Sequence, residues 1–310
     1  MLATKIRTAF APCSLGEWPT RLEEQPALAR ALGLQALWLK REDLAGGNKI
    51  RGLEFLLAGA PPRSVFVTIG GEGSSHALAT ARAARAQGYR TAVALFAQPE
   101  TEASKSVFAA TAGSASVVVC AASVLTLPWA VWRAWRAAHH LGTPRWIPGG
   151  GAEPRAVLGH FLATLELSEQ LAAPPDSIVV PLGTGGTAAG IALGIAWLGW
   201  STRVIAVRVA PRIVANRWRT LRLARKAAAL IQQAGIEVTV PRSSIRVDVV
   251  DGIGPGYGHP TPEGELARSL AVQHGVRLDP TYGAKAFSIF LRHTTHDVRR
   301  VVFWHTFAWP

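Results

Sequence analysis

ALWLKREDLAGGNKIR, residues 36–51, decides how this chain is read. Its first four residues are apolar and suit a strand. A charged turn follows, then Gly46-Gly47, then Asn48 and Lys49 opening a helix. A lysine at the head of a helix lies against the positive end of the helix dipole, which disfavours its protonated form. Burial lowers its pKa further. An amine that gives up its proton easily is what Schiff-base chemistry with an aldehyde requires. On these residues alone a solvated surface lysine is the commoner case, because most lysines lie on the surface.

Outward from this stretch, short apolar runs alternate with longer Ala-rich helical stretches, the signature of an α/β chain with parallel strands. Residues 64–69 read as a strand, followed by a Gly/Ser loop and a helix over 77–87 ended by Gly88. The next strand is 91–96, its helix 103–112 is closed by Gly113, and a strand at 117–120 precedes a helix over 127–140. Gly149-Gly-Gly151 reads as a mobile junction. Beyond it come a helix (156–171), a strand (177–182), a glycine loop, a helix (188–198) and a strand (203–209). A helix over 214–234, a Gly/Pro-rich loop, helices over 262–274 and 284–291 and a last strand at 300–304 complete the pattern. A cleft between two α/β domains is then the expected ligand site.

Composition narrows the class. With 310 residues, 49% of them apolar and 17% charged, the chain is globular and long enough for two domains. Cys13 and Cys120 stand apart and near no ligand spacing, so neither a disulfide framework nor a metal site is expected. No N-terminal stretch resembles a signal peptide, and the most apolar run, residues 117–132, is too short to span a bilayer and contains Pro128. A cytoplasmic protein without membrane contact is expected. The net charge of +13 comes from scattered arginines. Their one cluster, residues 216–226, reads as a solvated amphipathic helix rather than a nucleic-acid surface. The eleven tryptophans lie singly in apolar segments and suit core filling and subunit contacts.

Two more glycine loops carry chemistry. Gly183-Thr-Gly-Gly-Thr187 joins a strand to a helix, where free N–H groups make an anion site. Gly183-x-Gly185-x-x-Ala188 also fits a dinucleotide fingerprint, but the next strand ends near Arg208 without the acid that reading needs. A single phosphate on a small cofactor fits better. Gly70-Gly-Glu-Gly-Ser-Ser-His76 repeats the strand–glycine–helix order, and its hydroxyls and N–H groups could hold a carboxylate. His76 by itself more often caps structure than catalyses.

Residues 39–56 (LKREDLAGGNKIRGLEFL), 68–76 (TIGGEGSSH), 148–170, 181–190 (PLGTGGTAAG), 254–264 (GPGYGHPTPEG) and 279–287 (DPTYGAKAF) occur in this order. Together they resemble the 1-aminocyclopropane-1-carboxylate deaminase / D-cysteine desulfhydrase family over nearly the whole chain. The resemblance implies two open, twisted, mostly parallel sheets flanked by helices, the tryptophan-synthase-β-like fold type II, with the active site in the cleft between domains. Residues 1–54 with 150–310 would form the large domain and 55–149 the small one. It implies pyridoxal 5′-phosphate as cofactor, a small amino acid as substrate and a homodimer. Lys49 would carry the cofactor as a Schiff base, with Asn48 beside its ring. Gly183, Thr184, Gly185, Gly186 and Thr187 would hold its phosphate. Ser74 would lie near the substrate carboxylate, Ser75 and His76 beside the cofactor, Tyr257 and Tyr282 in the active site, and Thr306 at the pyridine nitrogen. The implied reaction is α,β-elimination on a D-cysteine-like amino acid, giving a keto acid and ammonia. Ring opening of the cyclopropane substrate, or a degenerate cofactor-binding homologue with little turnover, are the alternatives.

Three positions depart from the family pattern. Ser75 stands where the family has asparagine, which removes an amide worth about 1–3 kcal/mol for one buried bond. Gly283 follows Tyr282, where ring-opening deaminases carry an acid and desulfhydrases a threonine, and it argues against ring opening. Phe307 replaces the first glycine after the His305-Thr306 pair.

Overall fold

The computed structural model describes residues 1–293 and 299–310. Its N-terminal part forms α1 (Leu2–Phe10), β1 (Leu22–Glu24), α2 (Pro26–Ala31), β2 (Ala36–Arg41) and α3 (Lys49–Leu57). Next come β3 (Ser64–Gly71), α4 (Ser75–Ala86), β4 (Arg90–Phe96), α5 (Glu102–Ser114), β5 (Val117–Ala121), α6 (Leu127–Leu141) and β6 (Thr143–Trp146). The remainder is α7 (Pro154–Gln170), β7 (Ser177–Leu182), α8 (Gly186–Leu198), β8 (Arg203–Arg208), α9 (Arg217–Gln233), β9 (Asp248–Asp251), α10 (Pro262–Gln273), α11 (Gly283–His293) and β10 (Arg300–His305).

Two sheets result, in the orders β1-β2-β10-β7-β8-β9 and β5-β4-β3-β6. Only β1 pairs antiparallel, with β2; the other described pairs are parallel. The last strand of the chain, β10, therefore lies inside the larger sheet, with Phe303 opposite both Leu39 and Val179. Covered on both faces, Val301, Val302, Phe303 and Trp304 are fully buried. That explains an unbroken apolar run where a half-exposed strand would alternate. Each such side chain contributes about 1.5–3 kcal/mol through burial.

The fold positions a site because β2, β7 and β3 run parallel within their sheets and each ends in a glycine turn feeding a helix (α3, α8 and α4). Ligands of open α/β sheets bind at such carboxyl ends. Helix α3 packs against α7 of the larger body and α4 of the smaller, so its first residue, Lys49, lies at their seam. Local caps match the sequence: Ser74 Oγ accepts from the Ala77 N–H (3.3 Å), and Asn216 Oδ1 from the Arg219 N–H (2.9 Å).

Some boundaries differ from expectation. The helix expected to close at Gly113 runs through it to Ser114, because Gly113 does not take the left-handed φ of a helix-ending glycine. The helix expected from 214 starts at Arg217, where Asn216 provides the cap. The expected mobile junction at Gly149–Gly151 is a tight turn: the Gly151 N–H donates to the Pro148 carbonyl (2.8 Å), and Gly150 and Gly151 take φ of +72° and +65°. Three short edge strands, β1, β6 and β9, carry too few residues to leave a period in the sequence.

Candidate active site

A cleft of about 420 Å³ opens where the glycine turns after β2 and β7 meet. Lys49 enters it as the first residue of α3. Its ammonium donates to the Gly150 carbonyl (3.3 Å), and burial brings its pKa down from 10.5 to about 8. Some solvent contact remains at the residue. Asn48, just before it, ties the lysine to two other segments. Its backbone N–H donates to the Thr306 carbonyl (3.0 Å), and its side-chain amide donates to Thr187 Oγ1 (2.7 Å).

The opposite wall is the start of α8. Gly185 takes φ +94° and caps the helix without a side-chain acceptor, so the first N–H groups of α8 stay free for a ligand. Thr184 Oγ1 is buried without a hydrogen-bond partner. Gly150 makes room for it: a Cβ there would stand 2.1 Å from Thr184 Oγ1 and 3.1 Å from its Cβ. A cradle of free N–H groups and one unpaired hydroxyl, at the positive end of a helix, has the chemistry to take a phosphate.

Of the residues singled out in the sequence, Asn48, Lys49, Ser75, Gly183, Thr184, Gly185, Gly186, Thr187, Tyr282 and Thr306 line this cleft. Ser74, His76 and Tyr257 stand one layer back. Ser74 spends its hydroxyl on the α4 cap, and His76 Nε2 meets Thr68 Oγ1 at 3.0 Å. Burial, then the charge of Lys49, push the His76 imidazole down to about 3, so it is neutral at physiological pH. Tyr257 reaches the cleft through a phenol–phenol contact of 2.5 Å with Tyr282. Burial raises both phenols, Tyr282 well above the ordinary value, so both keep their protons.

Two charged residues that the sequence did not single out hold these tyrosines. Asp279 accepts from the N–H groups of Thr281 (3.0 Å), Tyr282 (2.7 Å) and Gly283 (2.8 Å). Lys285, fully buried, donates to the carbonyls of Ile253 (2.7 Å) and Gly256 (2.9 Å), beside Tyr257. A Cβ at Gly283 would stand 3.0 Å from Asp279 Oδ1, so a side chain there would crowd the acid that fixes Tyr282. Phe307 is buried and stacks on Tyr282 with ring centres 6.4 Å apart, closing the wall with an aromatic ring.

Behind α3, Arg51 lies between Glu42 (2.7 Å) and Glu166 (2.9 Å) and stacks on Trp18 at 3.9 Å. Lys40 also pairs with Glu166. This buried network fastens the lysine helix to β2 and α7. Sequence reasoning missed it, and missed His160 as well. A polar residue inside the run AVLGHFLATL was the available signal for His160, which is buried beside Lys49.

Comparison with known proteins finds relatives along nearly the whole chain. The family described as "Pyridoxal-phosphate dependent enzyme" matches residues 13–306. The chain is 33% identical over 310 residues to nocardicin C-9′ epimerase of Nocardia uniformis subsp. tsuyamanensis, covering 93% of this chain and 90% of that protein. It is 32% identical over 324 residues to D-cysteine desulfhydrase of Klebsiella pneumoniae subsp. pneumoniae, covering 98% and 95%. A crystal structure of an "ACC deaminase homologue" superposes with a TM-score of 0.81 at 28% identity, covering 97% of this chain and 94% of that one.

Proposed function

The chain belongs to the pyridoxal-phosphate-dependent enzyme family, and from that premise we propose a lyase that removes a β leaving group from a small, D-cysteine-like amino acid. The products are a keto acid, ammonia and the leaving group. One observation carries the reading: an amine with a pKa of about 8 shares a cleft with a phosphate-type cradle. Pyridoxal phosphate supplies an electron sink for negative charge at the carbon next to the substrate amine.

The chain's own groups divide the remaining work. Lys49 would hold the cofactor through its aldehyde and, with its lowered pKa, would serve as a base toward the substrate. The α8 N–H groups and Thr184 Oγ1 would hold the phosphate. Asn48 braces the lysine turn against Thr187 and Thr306, fixing the distance between base and phosphate. Thr306 lines the cleft and would be a neutral partner for the cofactor's ring nitrogen. Tyr282, kept protonated, can donate to a departing group. Gly283 offers no acid beside it, which favours elimination over cyclopropane ring opening.

The exposed side chains of Leu125, Trp129 and Trp132 support a homodimer by leaving apolar surface for a second copy. Among the described residues no helix is long and apolar enough to cross a membrane. A cytoplasmic location completes the reading.

The test is a spectral screen of the cofactor-loaded protein against D- and L-amino acids, with keto-acid and ammonia assays. D-Cysteine or a close analogue should shift the visible band and release product, and Lys49→Ala should lose the band. A protein whose band no amino acid shifts is no lyase. Solvent deuterium entering the α-carbon without keto acid would assign epimerisation instead, the activity named for the Nocardia relative.

A further inference from the structure

A second, much smaller cavity meets the same lysine. It shares only Lys49 and Gly186 with the cleft. Leu53, Leu56 and Ala156 make its walls largely apolar, and the side chains that could bind a polar occupant are Lys49, His76 and His160. His76 and His160 are 3% and 4% exposed. Each spends Nε2 on a threonine: His76 on Thr68 (3.0 Å) and His160, at longer range, on Thr187 (3.4 Å). Each leaves Nδ1 buried without a partner.

Two histidines that line one cavity, each with an unpaired Nδ1, point to a missing polar occupant, since buried polar groups are almost always satisfied. The free space accepts about one water molecule. Tautomer logic supplies its hydrogen bonds. Thr187 Oγ1 accepts from Asn48, so its own hydrogen turns toward His160 Nε2. A neutral His160 then carries its hydrogen on Nδ1 and donates into the cavity. His76 can offer the complementary lone pair, because Thr68 is able to accept from its Nε2.

We propose that this cavity is a water site, in which one bound water accepts from His160 Nδ1, donates to His76 Nδ1 and solvates the amine of Lys49. The water accepts from the lysine's N–H when the amine is protonated. No proton passes to either imidazole, because burial and the lysine's charge keep both neutral. The water's part is to make the lysine a competent base by stabilising its ammonium beside the apolar walls of Leu53, Leu56 and Ala156. The titratable groups around the amine are His76 on α4, His160 on α7 and, beyond His160, Arg51 on α3 itself. The 149–151 turn and the start of α8 present glycine to the cavity.

The consequence for catalysis rests on Lys49 being the cofactor's lysine, whereas the water site is tested independently of that reading. A high-resolution crystal structure of the intact protein should show water density between the two Nδ1 atoms, kept in His160→Gln and lost in His160→Leu. In the full chain stripped of cofactor, Lys49 labelling by an amine-reactive ester is followed by mass spectrometry against pH. The labelling midpoint should fall by about one unit, a ten-fold weaker proton affinity, in His160→Leu and in His76→Leu. His160→Gln should restore it. A dry cavity in the unmodified protein overturns the proposal. So does an unchanged midpoint in leucine variants whose circular dichroism matches the parent, since a purely structural role would alter stability alone. Loss of the visible band in Lys49→Ala tests the parent reading separately, and its failure would leave the water result standing.

Discussion

Gly150→Ala separates the phosphate cradle from the fold. The residue sits at φ +72°, so alanine there pays the left-handed backbone cost of about 1–2 kcal/mol. Its new methyl would also stand 2.1 Å from Thr184 Oγ1, 2.9 Å from Cγ2 and 3.1 Å from Cβ. Rotating the threonine moves Oγ1 and Cγ2 but leaves Cβ at 3.1 Å, so the hydroxyl is driven from the cradle. Losing one hydrogen bond to a charged phosphate costs about 1.5–3 kcal/mol, or roughly 10- to 100-fold in cofactor affinity. Gly33→Ala is the control: its φ is +66°, but nothing lies within 4 Å of the added Cβ. Denaturant unfolding without cofactor should show similar backbone losses for both variants, with any extra loss confined to Gly150→Ala. Cofactor titration, read by visible absorbance or tryptophan fluorescence, should weaken for Gly150→Ala alone. If the two variants bind the cofactor equally well, Thr184 does not hold its phosphate and the cradle has been misread.

The lowered pKa of Lys49 predicts that cofactor capture by the stripped protein rises about ten-fold per pH unit below about 8 and levels off above it. An ordinary lysine, with its pKa at 10.5, would keep accelerating through pH 9, and stopped-flow absorbance tells the two apart. Lys285 is held down to about 8 by burial, so between pH 8 and 10.5 the unfolded chain binds more protons than the folded one. Stability should therefore rise with pH across that window, by at most about 3 kcal/mol from this group. Lys285→Met should flatten the rise and leave the carbonyls of Ile253 and Gly256 unpaired, at about 1–3 kcal/mol each. Urea unfolding of both proteins from pH 7.5 to 10 checks this, and parallel curves would refute it. Arg51→Met removes the cation between Glu42 and Glu166 and should destabilise by about 3–5 kcal/mol, measured by thermal or denaturant unfolding. A loss under about 1 kcal/mol, typical of exposed pairs, would mean the network is solvated.

Much of the larger sheet's helix and strand sequence was legible because its strands are covered on both faces and read as continuous apolar runs, as in β7 and β10. The edge strands β1, β6 and β9 were not, because three or four half-exposed residues leave no period. The glycine turns were legible as turns, but their purpose was not. Gly149–Gly151 looked like a joint, yet Gly150 gives a carbonyl to Lys49 and space to Thr184, contacts made across 101 and 34 positions of chain. Ser74 and His76 were legible as polar residues at a helix start, while their contacts turn them toward a cap and toward Thr68.

By itself the sequence determined which chemistry is available: an amine after two glycines, a glycine turn after a buried strand, and two tyrosines. Those depend on residue type and near neighbours, which local order records. Only the tertiary structure decided how that chemistry is tuned. The desolvation that lowers Lys49, the wedge of Arg51 between two acids, the Asp279 and Lys285 anchors and the paired histidines all arise from segments far apart in the chain. Burial and Coulomb energy depend on distances in space, and residue order alone does not contain them.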